Sequence, residues 1–205
     1  MLLHVACSLK LLFQGRCMIE KYVYYGELQH LARQHIASKA NHMDATYDTV
    51  GFPGVTLSSI SDAALIEADE EWPKYHHISP HGGFGNRFRW AEVFRKFQYR
   101  PSSFNLAVWQ KLDSGTTVLQ ALAIGRPSRG KSHLTIHALE KCFAPYELKH
   151  VSLLVLSCAS EYAKLLGASR VLIKEALHES VYLQHGFKQY QLPRLNRTFL
   201  SRDVS

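Results

Sequence analysis

The stretch that decides the fold runs from Val151 to Phe187 and reads VSLLVLSCASEYAKLLGASRVLIKEALHESVYLQHGF. Its first part has apolar residues at steps of three and four, the spacing that gives a helix one apolar face. They are Val151, Leu154, Val155, Cys158, Tyr162 and Leu165. Gly167 follows the last of them, where helices commonly end in a left-handed residue without Cβ. The sequence therefore predicts a helix of about four turns that packs on a sheet and stops at Gly167.

The remainder of the stretch predicts three short elements. Arg170 to Lys174 has Val-Leu-Ile between two basic residues, which indicates a short strand. The segment His178 to His185 has a helix-like pattern, and Tyr182 within it lies four residues before Gly186-Phe187. The expected order is helix, strand, helix, turn and strand.

Three further strands are predicted before the long helix. Phe104 to Trp109 and Val118 to Ile124 are apolar runs that flank the turn signal Asp113-Ser-Gly115, so together they predict a β-hairpin. After a second turn, Gly125 to Lys131, the run His133 to Ala138 alternates polar and apolar residues with the period of a half-buried strand. The three strands are expected to be antiparallel.

In this order and spacing, Phe104 to Leu192 resembles the acyl-coenzyme A binding half of the GNAT superfamily of N-acyltransferases. The resemblance implies an α/β (α+β) fold with a mixed, mostly antiparallel central sheet flanked by helices. It also implies that Leu134 to Leu139 and Arg170 to Lys174 form a parallel pair whose strands splay apart. In the family that opening admits the pantetheine arm of acyl-coenzyme A, and the acyl group passes directly to a primary amine. Acetyl-coenzyme A, or another acyl-coenzyme A, is then the expected co-substrate, and no metal is expected.

The resemblance places the cofactor's pyrophosphate at the start of the long helix, where unpaired amides and the helix dipole favour an anion. The cofactor-binding residues that it implies are Ala138, Leu139, Lys149, His150, Val151 and Ser152. The family's Q/R-x-x-G-x-G/A loop aligns with residues 147–152, where Glu147 replaces the basic or amide residue and His150 replaces the first glycine. A glutamate repels phosphates, and a His side chain obstructs the close backbone approach that glycine permits. A degenerate, non-catalytic binding module of the same fold is therefore the main alternative.

Two residues are the catalytic candidates that the resemblance implies. Tyr182 matches the tyrosine that protonates the departing coenzyme A thiolate, and Glu140 matches a carboxylate that takes a proton from the attacking amine. A backbone amide near Leu139 is expected to polarise the thioester carbonyl. The ordinary alternatives are a packing tyrosine and an exposed glutamate at a strand end. Strand parity puts His137 on the face opposite Glu140, although a bulge would let either act as the base.

A rival motif lies in the turn before the third strand. Gly125 to Ser132 fits the P-loop pattern G-x-x-x-x-G-K-S, in which backbone amides cradle phosphates and the hydroxyl ligates magnesium. A P-loop requires a helix immediately afterwards, yet Leu134 to Ala138 keeps the strand period. A hairpin loop rich in Gly, Pro and Ser explains the same residues more simply, so a nucleotide-binding protein is a further alternative.

Composition favours one globular domain. The chain has 205 residues, of which 46% are hydrophobic, and its four cysteines show no C-x-x-C spacing. We expect reduced thiols, a cytoplasmic location and no membrane span. Residues 1–17 are expected to be a leader that is disordered or not native, and residues 18–205 a single acyltransferase domain. In the N-terminal half, Ser61 with Asp62 predicts a helix cap, and a Pro- and Gly-bearing loop is expected over Trp72 to Asn86. Two helical stripes are predicted there as well: Leu28, Leu31, Ala32, His35 and Ile36, and Trp90, Val93, Phe94 and Phe97.

The charge and the histidines suggest partners without identifying one. A net charge of +7 favours anionic partners, but no RNA-binding motif accompanies it, so nucleic acid is not favoured. His76, His77 and His81 lack an accompanying acidic or Cys motif, and His133 and His137 are about 13 Å apart along a strand, too far to share a metal ion. A small-molecule or protein amine is the expected acceptor, and a homodimer stays open.

Overall fold

The computed structural model describes residues 2–42, 52, 54–78, 89–146, 148–176, 179–192 and 198–204, with the side chains of the first helix from Met18 to Ala40. Within these residues, one seven-stranded sheet forms the centre of the protein. Its strands are β1 (Val55–Ser58), β2 (Phe104–Lys111), β3 (Thr117–Pro127), β4 (His133–Lys141), β5 (Arg170–Lys174), β6 (Lys188–Gln191) and β7 (Thr198–Asp203). The strand order is β1-β2-β3-β4-β5-β7-β6.

Helices cover both faces of the sheet. They are α1 (Leu2–His42), α2 (Asp62–Glu70), α3 (Trp90–Arg95), α4 (Val151–Leu165) and α5 (Glu179–Gln184), with a 3₁₀ helix at Trp72–Ile78. The predicted end of the long helix is confirmed. Gly167 has φ of 76°, the N–H of Ala168 donates to the carbonyl of Ala163, and the N–H of Gly167 donates to Lys164. This left-handed cap satisfies the last carbonyls of α4 and turns the chain into β5.

Alternate residues along the strands build two separate cores. One, which we call the α4 face, contains Leu106 of β2 and Leu134 of β4 together with the buried side of α4 and part of α1. The other, the α3 face, contains Ala107 of β2 and Leu122 of β3 together with Trp90 of α3. The apolar periodicity of each element therefore matches the face on which it packs.

The sheet is antiparallel except for one pair. The parallel pairing of β4 with β5 joins His133 to Arg170 and proceeds to Ile136 opposite Ile173, where it ends. β4 nevertheless continues to Lys141, so residues 137–141 extend beyond the part of β4 that pairs with β5. The predicted mixed, mostly antiparallel sheet with one parallel pair is confirmed.

The P-loop interpretation of Gly125 to Ser132 is wrong. β3 continues through Gly125 to Pro127 and pairs antiparallel with β4. The N–H of Ser128 donates to the carbonyl of His133 and closes a hairpin turn. A strand, not a helix, follows Ser132, so these residues lack the helix N-terminus that a P-loop needs.

The N-terminal half packs largely as the sequence predicts. Ala32 and Ile36 of α1 are buried, whereas Leu31, expected on the same stripe, is 50% exposed. The Ser61 hydroxyl caps α2 by accepting from the N–H of Ala64. Trp90 begins α3 and is buried. The backbone of residues 2–17 belongs to α1, and the interpretation of this segment as a non-native leader stays a prediction.

The described residues contain no helix with both the length and the apolar character that crossing a bilayer requires. The predicted loop at residues 72–86 begins as the 3₁₀ helix Trp72–Ile78, and its remaining part lies outside the described residues.

Candidate active site

A β-bulge lies where the parallel pairing ends. On β3 and β4, Ile124 pairs with Ala138 while Gly125 pairs with Ile136, so His137 is an extra residue in β4. The bulge reverses the alternation of side chains, because Ile136 belongs to the α4 face and Ala138 to the α3 face. Ile136, the last residue of β4 that pairs with β5, is thus adjacent to a local change in strand direction.

His137 is partly buried at this bulge. Its ring centroid lies 5.2 Å from that of Phe97, which packs on the α3 face. Its Nε2 is buried and has no hydrogen-bond partner among the described residues. Burial, and then the positive charges of Arg126, Lys174 and Arg100, lower the pKa of His137 to about 4. The ring is therefore neutral at neutral pH.

Glu140 lies on the same side of the sheet. Its carboxylate accepts a 2.6 Å hydrogen bond from Nε1 of Trp90, and its other oxygen is 3.6 Å from Nε2 of His76. The carboxylate is buried, so the interpretation as an exposed strand-end residue is wrong. The parity argument that separated Glu140 from His137 is also wrong, because the bulge brings both to the α3 face. The sequence did not connect Trp90 or His76 with Glu140.

Tyr182 occupies the opposite face. It lies on α5, packs against the α4 face, and makes an edge-on contact with Phe187 at 6.0 Å between ring centroids. Burial raises the pKa of its hydroxyl above the ordinary value. The two predicted catalytic residues are therefore separated by the sheet. A substrate that touches both must pass between the strands.

The N-terminus of α4 begins with an unusual residue conformation. His150 precedes the helix with φ of 58° and ψ of 18° and provides no side-chain cap. This is the left-handed region that glycine adopts most easily. Lys149 and His150 are exposed, Ser152 is half-buried, and Val151 is buried. The chain thus keeps the glycine-like turn without the glycine.

Gln120 of β3 anchors the segment before α4. Its Oε1 accepts a 2.8 Å hydrogen bond from the N–H of Leu148, and its Nε2 donates to the carbonyl of Tyr146 at 3.1 Å. Gln120 is fully buried. Its amide within the otherwise apolar run Val118 to Ile124 is the sequence signal that could have identified this role, because buried polar groups are nearly always hydrogen-bonded.

The remaining predicted positions show no metal centre. Among the described residues, no group of three or more His, Cys, Asp or Glu side chains is arranged to hold a metal ion. His81 of the predicted histidine cluster and Glu147 of the phosphate loop lie outside the described residues. Cys142 and Cys158 are buried.

Comparison with known proteins finds similarity in fold. No family profile and no curated sequence matches the chain. An acetyltransferase of the GNAT family from Staphylococcus aureus matches with a TM-score of 0.52 and 9% identity, covering 74% of this chain and 99% of that one. A domain from Methanocaldococcus jannaschii gives 0.50 and 14%, covering 73% and 98%. N-acetylglutamate synthase from Neisseria gonorrhoeae, complexed with coenzyme A and N-acetyl-glutamate, gives 0.50 and 13%, covering 74% of this chain and 35% of that one.

These matches confirm the fold that the resemblance implied. The described part of the chain shares the fold of the GNAT-family acetyltransferase from Staphylococcus aureus, with a seven-stranded sheet and a single parallel strand pair. Because the identities are low, the comparisons establish the architecture alone.

Proposed function

We propose that this protein is an N-acyltransferase that transfers an acyl group, acetyl in the first instance, from acyl-coenzyme A to a primary amine. One observation carries the proposal: the pairing of β4 with β5 ends at Ile136 and Ile173, while β4 continues to Lys141. Along this segment β4 still pairs with β3, so the amides that point toward β5 are the ones that can bond the amides of a pantetheine arm. Ala138 and Leu139 lie in this segment and are the positions we assign to that contact.

The phosphates would dock at the start of α4. Val151 and Ser152 are the first two residues of the helix, where backbone N–H groups have no intrahelical acceptor and the dipole is positive. Lys149 and His150 are exposed immediately before them and add cationic character. The left-handed turn at His150 supports this role, because it directs the chain into the helix as a glycine would.

The proposed reaction is direct attack. The amine nitrogen forms a bond to the thioester carbonyl carbon, the carbonyl oxygen takes up negative charge near the amide of Leu139, and the carbon–sulfur bond then breaks. The nitrogen loses a proton to a base, and the departing thiolate receives one from Tyr182. The products are an amide and coenzyme A. This chemistry needs no redox partner.

The base is one of the two candidates in β4. His137 lies at the bulge where pairing ends, and its Nε2 has no partner in the described part of the chain. Glu140 is three residues further along the strand, about 10 Å away, and already accepts a hydrogen bond from Trp90. The unpartnered nitrogen and the position just beyond the last pair of β4 with β5 favour His137. We therefore assign proton acceptance to His137, with Glu140 as the competing candidate.

The degenerate loop gives the second candidate function its support. Glu147 and His150 both depart from the family pattern, so a GNAT-fold module without catalysis is the alternative. It predicts no binding of acetyl-coenzyme A, or binding without turnover.

Calorimetric titration with acetyl-coenzyme A and a thiol-release assay test the proposal. We expect binding, and we expect Tyr182→Phe to lower turnover by about 100-fold without reducing the cofactor affinity. Tyr190→Phe, the same change on β6, is the matched control and should leave turnover unchanged. Absence of cofactor binding would refute the proposed function, and equal turnover in both variants would remove Tyr182 from the mechanism.

A further inference from the structure

A cavity of about 240 Å³ opens beside the bulge. Most of its wall comes from three parts of the chain: Tyr22, Gly26 and Gln29 of α1, the segment 94–103, and the start of β2 at Asn105. Ser59 and Ile124 complete the lining. Such a volume lies below the usual range for drug-sized ligands of about 300–1,000 Å³. It suits a small molecule.

The cavity adjoins the proposed reaction centre. Phe97 lines it and contacts the ring of His137. Ile124 also lines it and pairs with Ala138, the residue after the bulge. A molecule in the cavity is therefore close to the point where the pairing of β4 with β5 ends.

The charge of the lining is one-sided. Among the twelve lining residues that the structure describes, Arg100 is the one charged side chain, and none of the twelve is a carboxylate. Behind the lining, the guanidinium of Arg33 donates to the carbonyl of Asn105 at 3.5 Å. Burial lowers the pKa of Arg33. A polycationic acceptor would meet these guanidinium groups without a compensating acid, whereas an anionic group would be attracted.

Ser103 provides an independent sign of a missing ligand. It lines the cavity, is 5% exposed, and its hydroxyl has no hydrogen-bond partner among the described residues. An unpartnered buried hydroxyl is costly unless a ligand or water satisfies it. The N–H of Ser103 donates to the carbonyl of Arg100, so a tight turn joins these two residues, both of which line the cavity.

The amide side chains give the site a fixed polar wall. Asn105 donates through Nδ2 to Oε1 of Gln29 at 3.3 Å, and its Oδ1 accepts from the N–H of Ile60 at 2.9 Å. These bonds fasten α1 to the start of β2. The helix that precedes the first strand is thus built into the cavity wall.

We infer that this cavity is the acceptor site and that it takes a small amine which also carries a carboxylate, an amino-acid-like molecule. The carboxylate is bound by Arg100 with the Ser103 hydroxyl, and the amine faces His137. Arg binds carboxylates through parallel, charge-assisted hydrogen bonds. The inference rests on the proposed acyl transfer and names the substrate class for it.

Matched acceptors test the carboxylate directly. We would compare β-alanine with β-alaninamide, and phenylalanine with phenylalaninamide, with spermidine as a polycation. Thiol release is measured with acetyl-coenzyme A, and rates are normalised to the fraction of free amine. Binding of each acceptor is measured by calorimetry in the presence of coenzyme A. We expect kcat/KM to favour each carboxylate by about tenfold or more, with tighter binding in the same order.

Two variants with matched controls identify the residues. Arg100→Gln should lower the preference in kcat/KM for each carboxylate over its matched amide by about tenfold, whereas Arg95→Gln on the exposed side of α3 should leave that preference unchanged. A Cβ on Gly26 meets no atom within 4 Å, so Gly26→Leu can add bulk at the wall without disturbing α1. Gly26→Leu should weaken the binding of every acceptor, while Gly26→Ala should leave it unchanged.

The outcomes separate the two proposals. If acetyl-coenzyme A does not bind the wild-type protein, both the acyltransferase function and the acceptor assignment are overturned. If acetyl-coenzyme A binds but amides or spermidine are bound or acylated as well as the carboxylates, the acceptor inference fails and the acyltransferase proposal survives. Equal effects of Arg100→Gln and Arg95→Gln overturn the assignment in the same way.

Discussion

The indole Nε1 of Trp90 donates a 2.6 Å hydrogen bond to a carboxylate oxygen of Glu140, and both residues are buried. The bond joins the start of α3 to the part of β4 that extends beyond its pairing with β5. His76 approaches the second carboxylate oxygen at 3.6 Å. A carboxylate held in this way has a structural task, independent of any part in proton transfer.

Substitution of Glu140 should separate its structural and chemical contributions. Glu140→Leu leaves the Trp90 N–H buried without an acceptor, so we expect the free energy of unfolding to fall by about 1–3 kcal/mol. Glu140→Gln keeps an acceptor oxygen and should cost clearly less. Urea denaturation of the two variants measures the difference, and equal losses would mean that the Trp90 bond does not stabilise the fold.

The same Glu140→Gln variant, compared with His137→Gln, decides which residue is the base. Turnover should fall by about 100-fold or more in His137→Gln, because general-base catalysis typically contributes that much. In Glu140→Gln we expect less than about a tenfold loss. The reverse order would transfer the role to Glu140, and the readout is kcat at saturating amine.

Sequence reasoning predicted the regular elements and failed where one extra residue changed the pattern. The stripe on α4, the cap at Gly167 and the hairpin strands follow from local periodicity, and the structure confirms them. Parity along β4 placed His137 and Glu140 on opposite faces, because a bulge leaves no mark in the period of the strand itself. Gly125 was the available signal, because an isolated glycine inside a strand often marks a bulge. In the structure, an added Cβ there would lie 2.6 Å from the carbonyl oxygen of Thr135.

The acceptor cavity was beyond sequence reasoning for a different reason. Its walls come from residues near positions 22–29, 94–105 and 124, which are far apart in the chain and share no motif. Only the long-range pairing of β2 with β3 and the packing of α1 bring them together. Gln29 of α1 was not singled out from the sequence, although it is buried and bonded to Asn105.

Stability should decrease in mild acid because of His137. Its folded-state pKa of about 4 is below the ordinary 6.5, so the unfolded chain binds more protons between these pH values, and stability falls as pH drops from about 6.5 towards 4. Because solvent screens the exposed part of the ring, we expect His137 to account for roughly 1–2 kcal/mol of the fall in the free energy of unfolding over this pH range. His137→Gln should remove that portion of the pH dependence.

Urea denaturation at pH 7 and pH 5 measures this slope. Burial also lowers the pKa of His76 and of His133, so the variant should retain a smaller slope of the same sign. His133→Gln is the matched control and should remove less than His137→Gln. Identical slopes in the wild type and in His137→Gln would contradict the buried, neutral state of this ring.

Gly125 should be required for the bulge. A Cβ at this position would be 2.6 Å from the Thr135 oxygen and 3.1 Å from Cδ1 of Ile136, so Gly125→Ala must displace backbone. We expect a loss of about 2 kcal/mol or more in the free energy of unfolding, together with reduced turnover, because His137 moves with the bulge. Gly130→Ala in the adjacent turn meets no atom within 4 Å and should change the free energy of unfolding by less than about 0.5 kcal/mol. Equal behaviour of the two variants would show that the close contact between β3 and β4 is not needed.

Placing a glycine at position 150 should improve both stability and cofactor binding. His150 has φ of 58°, a conformation that costs a residue with Cβ about 1 kcal/mol relative to glycine. The greater freedom of glycine in the unfolded chain offsets part of this gain, so we expect His150→Gly to stabilise by about 0.5 kcal/mol. Without the side chain, phosphates can approach the first amides of α4 more closely, and the affinity for acetyl-coenzyme A should rise several-fold despite the lost imidazole.

His150→Ala is the control, because it removes the ring but keeps the strained Cβ, and it should show no gain in stability. Thermal unfolding and calorimetry measure both quantities, and a fall in affinity in His150→Gly would mean that the imidazole itself binds the phosphates.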